Sequence, residues 1–113
     1  MKRLLTITAL VSALGGAVGE STAQADGKTA VISSDWACIH RFEGAWNAHT
    51  GNGYYGGLQM DWGFMRSYGR EFLRRWGTAD HWPVWAQVTA ANRARRVRGY
   101  TPWPNTARMC GLL

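Results

Sequence analysis

Residues 38–61 read CIHRFEGAWNAHTGNGYYGGLQMD, and this stretch decides the fold that we predict for the chain. Its first part is expected to be helical and to end at Glu43, because Gly44 is a natural C-terminal stop for a helix. The segment that follows has no helical periodicity, and the letters TGNG at residues 50–53 are typical of a tight turn. The stretch therefore predicts a helix, a turn and a short β-hairpin, in that order.

The N-terminal segment has the composition of an export signal. Lys2 and Arg3 precede an apolar run over residues 4–18, and AQA at residues 23–25 places small residues where a signal peptidase cleaves. The run is shorter than the roughly 20 apolar residues that a membrane span needs. We therefore predict a signal peptide over residues 1–25, cleavage near Ala25, no stable membrane insertion, and a secreted or cell-wall-associated protein.

After this leader we predict a flexible lead-in over residues 26–33 and a single domain over residues 34–113. A domain of this size buries too little surface to be robust without a covalent or metal link. Cys38 and Cys110 supply that link if export places them in an oxidising compartment. Their disulfide would contribute up to roughly 4 kcal/mol in the chain-entropy model. Two free thiols are the alternative.

Helix signals recur along the domain. Residues 33–35 offer N-cap side chains for a first helix, Asp61 offers one for a second, and Pro83 fits the first turn of the last long helix. Glycines separate the predicted helical segments, which are residues 35–42, 62–68, 70–76 and a long helix that ends at Gly99. The sequence therefore predicts an α+β fold that is mostly helical, with one short β-hairpin after the first helix.

Charge and aromatic content indicate two classes of partner. The chain has thirteen Lys and Arg against seven Asp and Glu, and removing Lys2, Arg3 and Glu20 with the leader leaves a net charge of about +5. Such a charge suits polyanions such as teichoic acids, anionic lipids or nucleic acid. Seven tryptophans favour a carbohydrate ligand, since aromatic rings stack on sugar rings. The alternative is that most of these tryptophans form the core.

Glu43 is the candidate catalytic residue. A carboxyl group in an apolar pocket can stay protonated near neutral pH and donate a proton to a glycosidic oxygen. An ordinary surface or ion-paired glutamate is the alternative. Asp61 is the candidate second carboxylate, because glycosidases usually pair two, and a helix cap is the alternative for Asp61.

Polar and aromatic side chains follow Glu43 in the predicted hairpin. Amide groups can bind the acetamido and hydroxyl groups of a glycan, and rings can stack on it. The candidates for substrate binding are Trp46, Thr50, Asn52, Tyr54, Tyr55 and Gln59. The alternative is a structural hairpin whose tyrosines pack on the core.

Other chemistries find little support. His40, His49 and His81 have no zinc-like spacing, and the chain has no phosphate-binding or dinucleotide fingerprint. We therefore expect neither a metal nor a cofactor.

The letters TGNGYYGGLQ at residues 50–59 resemble the signature of the resuscitation-promoting-factor and transglycosylase-like domains of actinobacterial secreted proteins. The resemblance extends over residues 36–110. It implies a compact lysozyme-like fold that acts on peptidoglycan glycan strands, with other cell-wall enzymes as candidate partners.

The resemblance also assigns roles to individual residues. It implies that Glu43 is the catalytic acid, that Gln59 faces the groove, and that Cys38 and Cys110 match the family's cysteines. Family members often have cysteine directly before the glutamate, whereas Cys38 lies five positions before Glu43. The disulfide is therefore expected to join the helices at a different height.

These observations predict a monomeric, secreted enzyme that cleaves the β-1,4 bond between N-acetylmuramic acid and N-acetylglucosamine, as a hydrolase or a lytic transglycosylase. The alternative in a different class is a non-catalytic peptidoglycan-binding or signalling module that uses the same groove. A third hypothesis is a cationic protein that acts on membranes or nucleic acid, although we expect no nucleic-acid partner.

Overall fold

The structure, a computed structural model, describes residues 20–25 and 28–113. Strands β1 (Glu20–Ala25) and β2 (Lys28–Ser33) form a two-stranded antiparallel sheet. The segment predicted as a flexible lead-in therefore carries a strand, and its Ile32 is buried in the core. Its β-branched residues favour this conformation. Apart from β1, the predicted signal peptide lies outside the described residues and stays a prediction.

Five α-helices follow the strands. Helix α1 begins after Ser33, whose hydroxyl accepts a hydrogen bond from the Trp36 amide at 3.4 Å, and α2 begins after Asp61. The helices are α1 (Ser34–Glu43), α2 (Trp62–Tyr68), α3 (Arg70–Trp76), α4 (Val84–Arg98) and α5 (Pro104–Met109), with a 3₁₀ turn at Ala79–His81. The predicted bounds of α2 and α3 are confirmed. Helix α5 was not predicted, although Pro104 in its first turn is a start signal.

Aromatic side chains make up much of the core. Trp36 and Trp103 are buried edge to face with ring centroids 4.9 Å apart, and Phe64 packs on Trp103 at 5.6 Å. The indole nitrogens have partners: Trp36 donates to Asn92 and Trp103 donates to the Leu58 carbonyl, both at 2.8 Å. Six of the seven tryptophans are buried or half-buried, so the core accounts for most of them and Trp62 is the exposed one.

Residues 44–61, which we call the site loop, take the place of the expected hairpin. Tyr55 forms isolated antiparallel bridges with His49 and with Met60, so two tight turns close on the same residue. The second turn is stabilised by a hydrogen bond from the Gln59 amide to the Gly56 carbonyl at 3.2 Å. Because the chain turns twice within twelve residues, the strands do not extend beyond these single bridges.

The buried side chain of Gln87 holds the site loop on α4. Its Oε1 accepts from the Gly57 amide at 2.9 Å, and its Nε2 donates to the carbonyls of Trp46 and Trp82 at 2.9 and 3.2 Å. Side-chain amides satisfy buried backbone groups in this way when no strand partner is present. The loop is therefore shaped by tertiary hydrogen bonds.

The small, mostly helical, lysozyme-like fold that the sequence predicts is confirmed. Among the described residues, no helix combines the length and the hydropathy that a membrane span requires.

Candidate active site

Glu43 is the last residue of α1 and is half-buried. Its Oε2 accepts a hydrogen bond from the Thr106 hydroxyl at 2.8 Å. Gly44 follows with φ 155°, which turns the chain away directly after the carboxylate. Glu43 is therefore held at a rigid helix end with one oxygen bound to a protein donor.

Two long-range links place Thr106 beside Glu43. The disulfide between Cys38 and Cys110, predicted from the sequence and present in the structure, joins α1 to α5 with a Cα–Cα distance of 6.1 Å. The packing of Trp103 on Trp36 fixes the start of α5 against the same helix. These links act on both sides of Thr106, so the hydroxyl stays near the end of α1.

Gln59 is the residue of the site loop whose side chain lies near the end of α1. Its backbone has φ 51°, a value rare for residues other than glycine, and its Nε2 donates to the Gly56 carbonyl at 3.0 Å. A Cβ atom placed on Gly44 would lie 3.7 Å from this Nε2. The Gln59 amide therefore lies near Gly44, the residue that follows Glu43.

Asn52 links the two turns of the site loop. Its Oδ1 accepts from the Tyr54 amide at 3.0 Å, and its Nδ2 donates to Gln59 Oε1 at 3.5 Å. Tyr54 remains exposed beside them. The structure therefore brings Asn52, Tyr54 and Gln59 together on one wall, and their contact with a glycan stays a prediction.

A cleft of about 390 Å³ lies along this wall. Residues of the site loop, α2 and the α4–α5 connection line it, among them Tyr54, Gln59, Asp61, Phe64, Arg98 and Trp103. Glu43 is outside this lining, whereas Gln59 lines the cleft and its Nε2 lies near Gly44, which follows Glu43. The cleft has the concave, partly aromatic form of a ligand site.

Asp61 lines the cleft and also caps α2. Its Oδ1 accepts from the Phe64 amide at 2.8 Å. The cap role, left open by the sequence, is therefore present, and a catalytic role for Asp61 stays a prediction.

The other predicted binding residues lie further from the cleft. The Trp46 ring stacks on His40 at 4.0 Å and covers Gly57, where a Cβ atom would be 2.4 Å from the indole. Tyr55 is half-buried between His49 and Trp62, and Thr50 is exposed in its turn. Trp46 and Tyr55 thus pack within the site loop and do not line the cleft. Their contact with a glycan stays a prediction.

A second contact ties the site loop to the 3₁₀ turn. His49 Nδ1 and His81 Nε2 lie 3.4 and 3.1 Å from the same oxygen of Asp80, and the Thr78 hydroxyl donates to this carboxylate at 2.5 Å. The side chain of Asp80 is 5% exposed, so these partners compensate its burial. Within residues 32–113, no group of three or more His, Cys, Asp or Glu has the geometry of a metal site.

Sequence reasoning missed Thr106 and Gln87. Thr106 lies in the helix that was not predicted, and its proximity to Glu43 depends on tertiary packing. Gln87 had a readable signal: it falls between Val84 and Ala91 on the apolar stripe of α4. A polar residue on such a stripe indicates a buried hydrogen-bonding role.

The sequence of the chain is similar to one protein family and to individual proteins of known name. The family profile of the transglycosylase-like domain matches residues 30–106. Resuscitation-promoting factor RpfE of Mycobacterium tuberculosis is 35% identical over 81 residues, which are 70% of this chain and 42% of that protein. Resuscitation-promoting factor Rpf1 of Corynebacterium glutamicum is 33% identical over 95 residues, which are 81% of this chain and 48% of that protein. The chain therefore spans less than half the length of these relatives.

The matched segment covers more than half of the chain and contains Glu43 together with the whole site loop. The chain therefore belongs to the transglycosylase-like domain family.

Proposed function

We propose that this protein is a secreted, monomeric enzyme that cleaves the β-1,4 bond between N-acetylmuramic acid and N-acetylglucosamine in peptidoglycan. The observation that carries the proposal is the position of Glu43 at the end of α1, bound to Thr106 and beside the Gln59 wall. The family to which the chain belongs supports a glycan-cleaving reaction.

Glu43 is the proton donor in this proposal. Thr106 occupies Oε2, which leaves Oε1 as the oxygen that carries the proton to the glycosidic oxygen. As the bond between C1 and this oxygen breaks, positive charge develops on the muramyl ring. Asn52, Tyr54 and Gln59 hold the glycan, and Thr50, Tyr55 and Trp46 complete or support the wall.

The second half of the reaction depends on the nucleophile. In the transglycosylase form, the 6-hydroxyl of the muramyl residue attacks C1 and its proton returns to the Glu43 carboxylate, which yields a 1,6-anhydro product and regenerates the acid. In the hydrolase form, water attacks, with Asp61 as the candidate second carboxylate. A purely structural role for Asp61 as the cap of α2 would correspond to the transglycosylase form.

Release of soluble fragments from purified peptidoglycan tests the proposal, with Glu43→Gln and Asp61→Asn variants measured in parallel. We expect Glu43→Gln to lose nearly all release and Asp61→Asn to keep most of it. Mass spectrometry distinguishes the products, because a 1,6-anhydro end lacks one water relative to a reducing end.

Equal release by wild type and Glu43→Gln would refute the catalytic assignment. Binding to insoluble peptidoglycan without release by the wild type would instead support the non-catalytic binding or signalling module.

A further inference from the structure

The cleft extends beyond the wall that holds the predicted binding residues. Tyr54 and Gln59 line it from the site loop, whereas Arg98 lines it from the last residue of α4. Phe64 and Trp103, both nearly buried, contribute aromatic surface between these elements. Arg98 is thus the one arginine among the lining residues that the structure describes.

Arg98 has no acidic partner of its own. Its side chain is exposed and makes no hydrogen bond or ion pair with any described residue. Among residues 32–113, every Asp and Glu side chain already has a donor: Asp35 with Tyr100, Glu43 with Thr106, Asp61 with Phe64, Glu71 with Arg93, and Asp80 with Thr78. Among residues 32–113, no carboxylate lies within 4.0 Å of the Arg98 guanidinium, so this positive charge has no direct ion-pair partner there.

Asp61 is the other charged residue in the lining, and it would oppose an anion. Its carboxylate, however, binds the N-terminus of α2, where the helix dipole offsets part of its charge. The cleft therefore has an acid with a partly offset charge on the α2 side and a guanidinium without an ion-pair partner among the described residues on the α4 side.

We infer that Arg98 binds a carboxylate carried by the muramyl residue of the substrate. This inference rests on the proposed function and deepens it. Muramic acid differs from N-acetylglucosamine by a lactyl ether whose carboxylate is either free or extended by a stem peptide with carboxylates of its own. A guanidinium can bind a carboxylate through two parallel hydrogen bonds, so Arg98 would distinguish peptidoglycan from neutral chitin-like glycans.

Binding measurements on three tetrasaccharide probes test this inference. The probes are neutral chitotetraose, a peptide-free tetrasaccharide of alternating N-acetylglucosamine and N-acetylmuramic acid, and the same tetrasaccharide with its stem peptides. The parent protein is the Glu43→Gln variant, which prevents turnover. It is compared with the same protein carrying either Arg98→Gln or Arg98→Lys as a second substitution. Arg96→Gln is the matched control, because Arg96 is an exposed neighbour on α4 that does not line the cleft.

We expect Arg98→Gln to reduce the preference for acidic over neutral probes about three- to tenfold and to leave chitotetraose binding unchanged. Arg98→Lys should keep part of the preference, and Arg96→Gln should keep all of it. A loss with the peptide-free probe identifies the lactyl carboxylate as the ligand, and a loss confined to the peptide-bearing probe identifies the stem peptide.

Three results would overturn the inference: an unchanged preference in Arg98→Gln, an equal loss in Arg96→Gln, or no binding of any probe by the parent protein. The fragment-release assay is independent of these outcomes. If the wild type releases fragments while Arg98→Gln keeps its preference, the proposed function survives and only the role of Arg98 fails.

Discussion

The Thr106 hydroxyl donates a hydrogen bond to Glu43 Oε2 at 2.8 Å, across 63 positions of sequence. Thr106 is 9% exposed, so water does not readily replace it. This bond fixes the rotamer of a side chain at a helix end, where the backbone alone would allow several. It also gives the two carboxylate oxygens different surroundings: Oε2 is bound to Thr106, and Oε1 is the oxygen that we propose reaches the glycosidic bond.

Replacing Thr106 by valine removes this hydroxyl and keeps the shape of the side chain. We expect fragment release to fall about tenfold, because a hydrogen bond to a carboxylate contributes about 1.5–3 kcal/mol. Thr106→Ser restores the hydroxyl and should recover most of the activity, whereas binding of chitotetraose should be the same in both variants. Full activity in Thr106→Val would show that Glu43 is positioned without this bond.

Removal of the disulfide should destabilise the domain. The Cys38–Cys110 bond spans 72 positions, and closing such a loop contributes about 4 kcal/mol in the chain-entropy model. Urea unfolding of a Cys38→Ser, Cys110→Ser double variant should therefore show a much lower midpoint than the oxidised wild type. The wild type measured with a reductant is the control, and identical midpoints for all three samples would contradict this account.

Gln87→Leu should destabilise the protein by about 2–4 kcal/mol. The substitution leaves the Gly57 amide and the carbonyls of Trp46 and Trp82 buried without a partner. Amide hydrogen exchange should accelerate at Gly57 specifically, since that amide loses its only acceptor among the described residues. If exchange at Gly57 stays slow, the site loop is held by other contacts.

Gly57 and Gly63 offer a matched pair of glycine substitutions. A Cβ atom at Gly57 would lie 2.4 Å from the Trp46 ring and 2.8 Å from His40, whereas at Gly63 the nearest atom is 3.6 Å away. We expect Gly57→Ala to cost about 1–3 kcal/mol through overpacking. Gly63→Ala lies in α2 and should be neutral or stabilising by up to about 1 kcal/mol. Thermal unfolding of both variants checks the difference in sign.

We expect deprotonation of Tyr100 to lower the stability of the fold at alkaline pH. Burial, together with the hydrogen bond to Asp35 at 2.6 Å, raises the pKa of Tyr100 from 10.0 to about 12. The unfolded chain therefore releases this proton first, and the associated stability is complete below pH 10.0 and is lost as the pH rises through about 12.

Because the Tyr100 side chain is only partly buried, we expect a discounted effect of about 1 kcal/mol across this window. Urea unfolding at several alkaline pH values measures the slope, with Tyr100→Phe as the control that removes the titrating group. An equal slope in both proteins would assign the alkaline effect to other groups.

The local sequence was sufficient for the elements near residues 38–61. Gly44, Gly69 and Gly77 mark the ends of α1, α2 and α3, because each glycine provides the C-terminal cap of the helix before it. Asp61 was recognisable as an N-cap, because an aspartate side chain before a helix accepts a hydrogen bond from an amide of the first turn. The motif at residues 50–59 predicts Asn52, Tyr54 and Gln59 as binding residues, and the structure brings these three residues together.

For the expected hairpin, the local sequence predicted the turn but not the length of the strands. The turn residues at 50–53 correctly indicate a reversal, but the extent of strand pairing depends on what lies behind the loop. The buried Gln87 supplies the hydrogen bonds that a longer ladder would have supplied. The sequence alone did not show which of these two sources of hydrogen bonds would stabilise the loop, because Gln87 lies thirty positions after Gly57.

The sequence by itself determined the ends of α1, α2 and α3, the cysteine pair and Glu43 as the candidate acid, because each depends on a local cap, on composition or on a short motif. The tertiary structure alone decided that Thr106 binds Glu43, that Gln87 shapes the site loop and that Arg98 joins Tyr54 and Gln59 at one cleft. These three relationships connect residues far apart in the chain. They exist only because burial of the aromatic core and closure of the disulfide bring α1, α4 and α5 together.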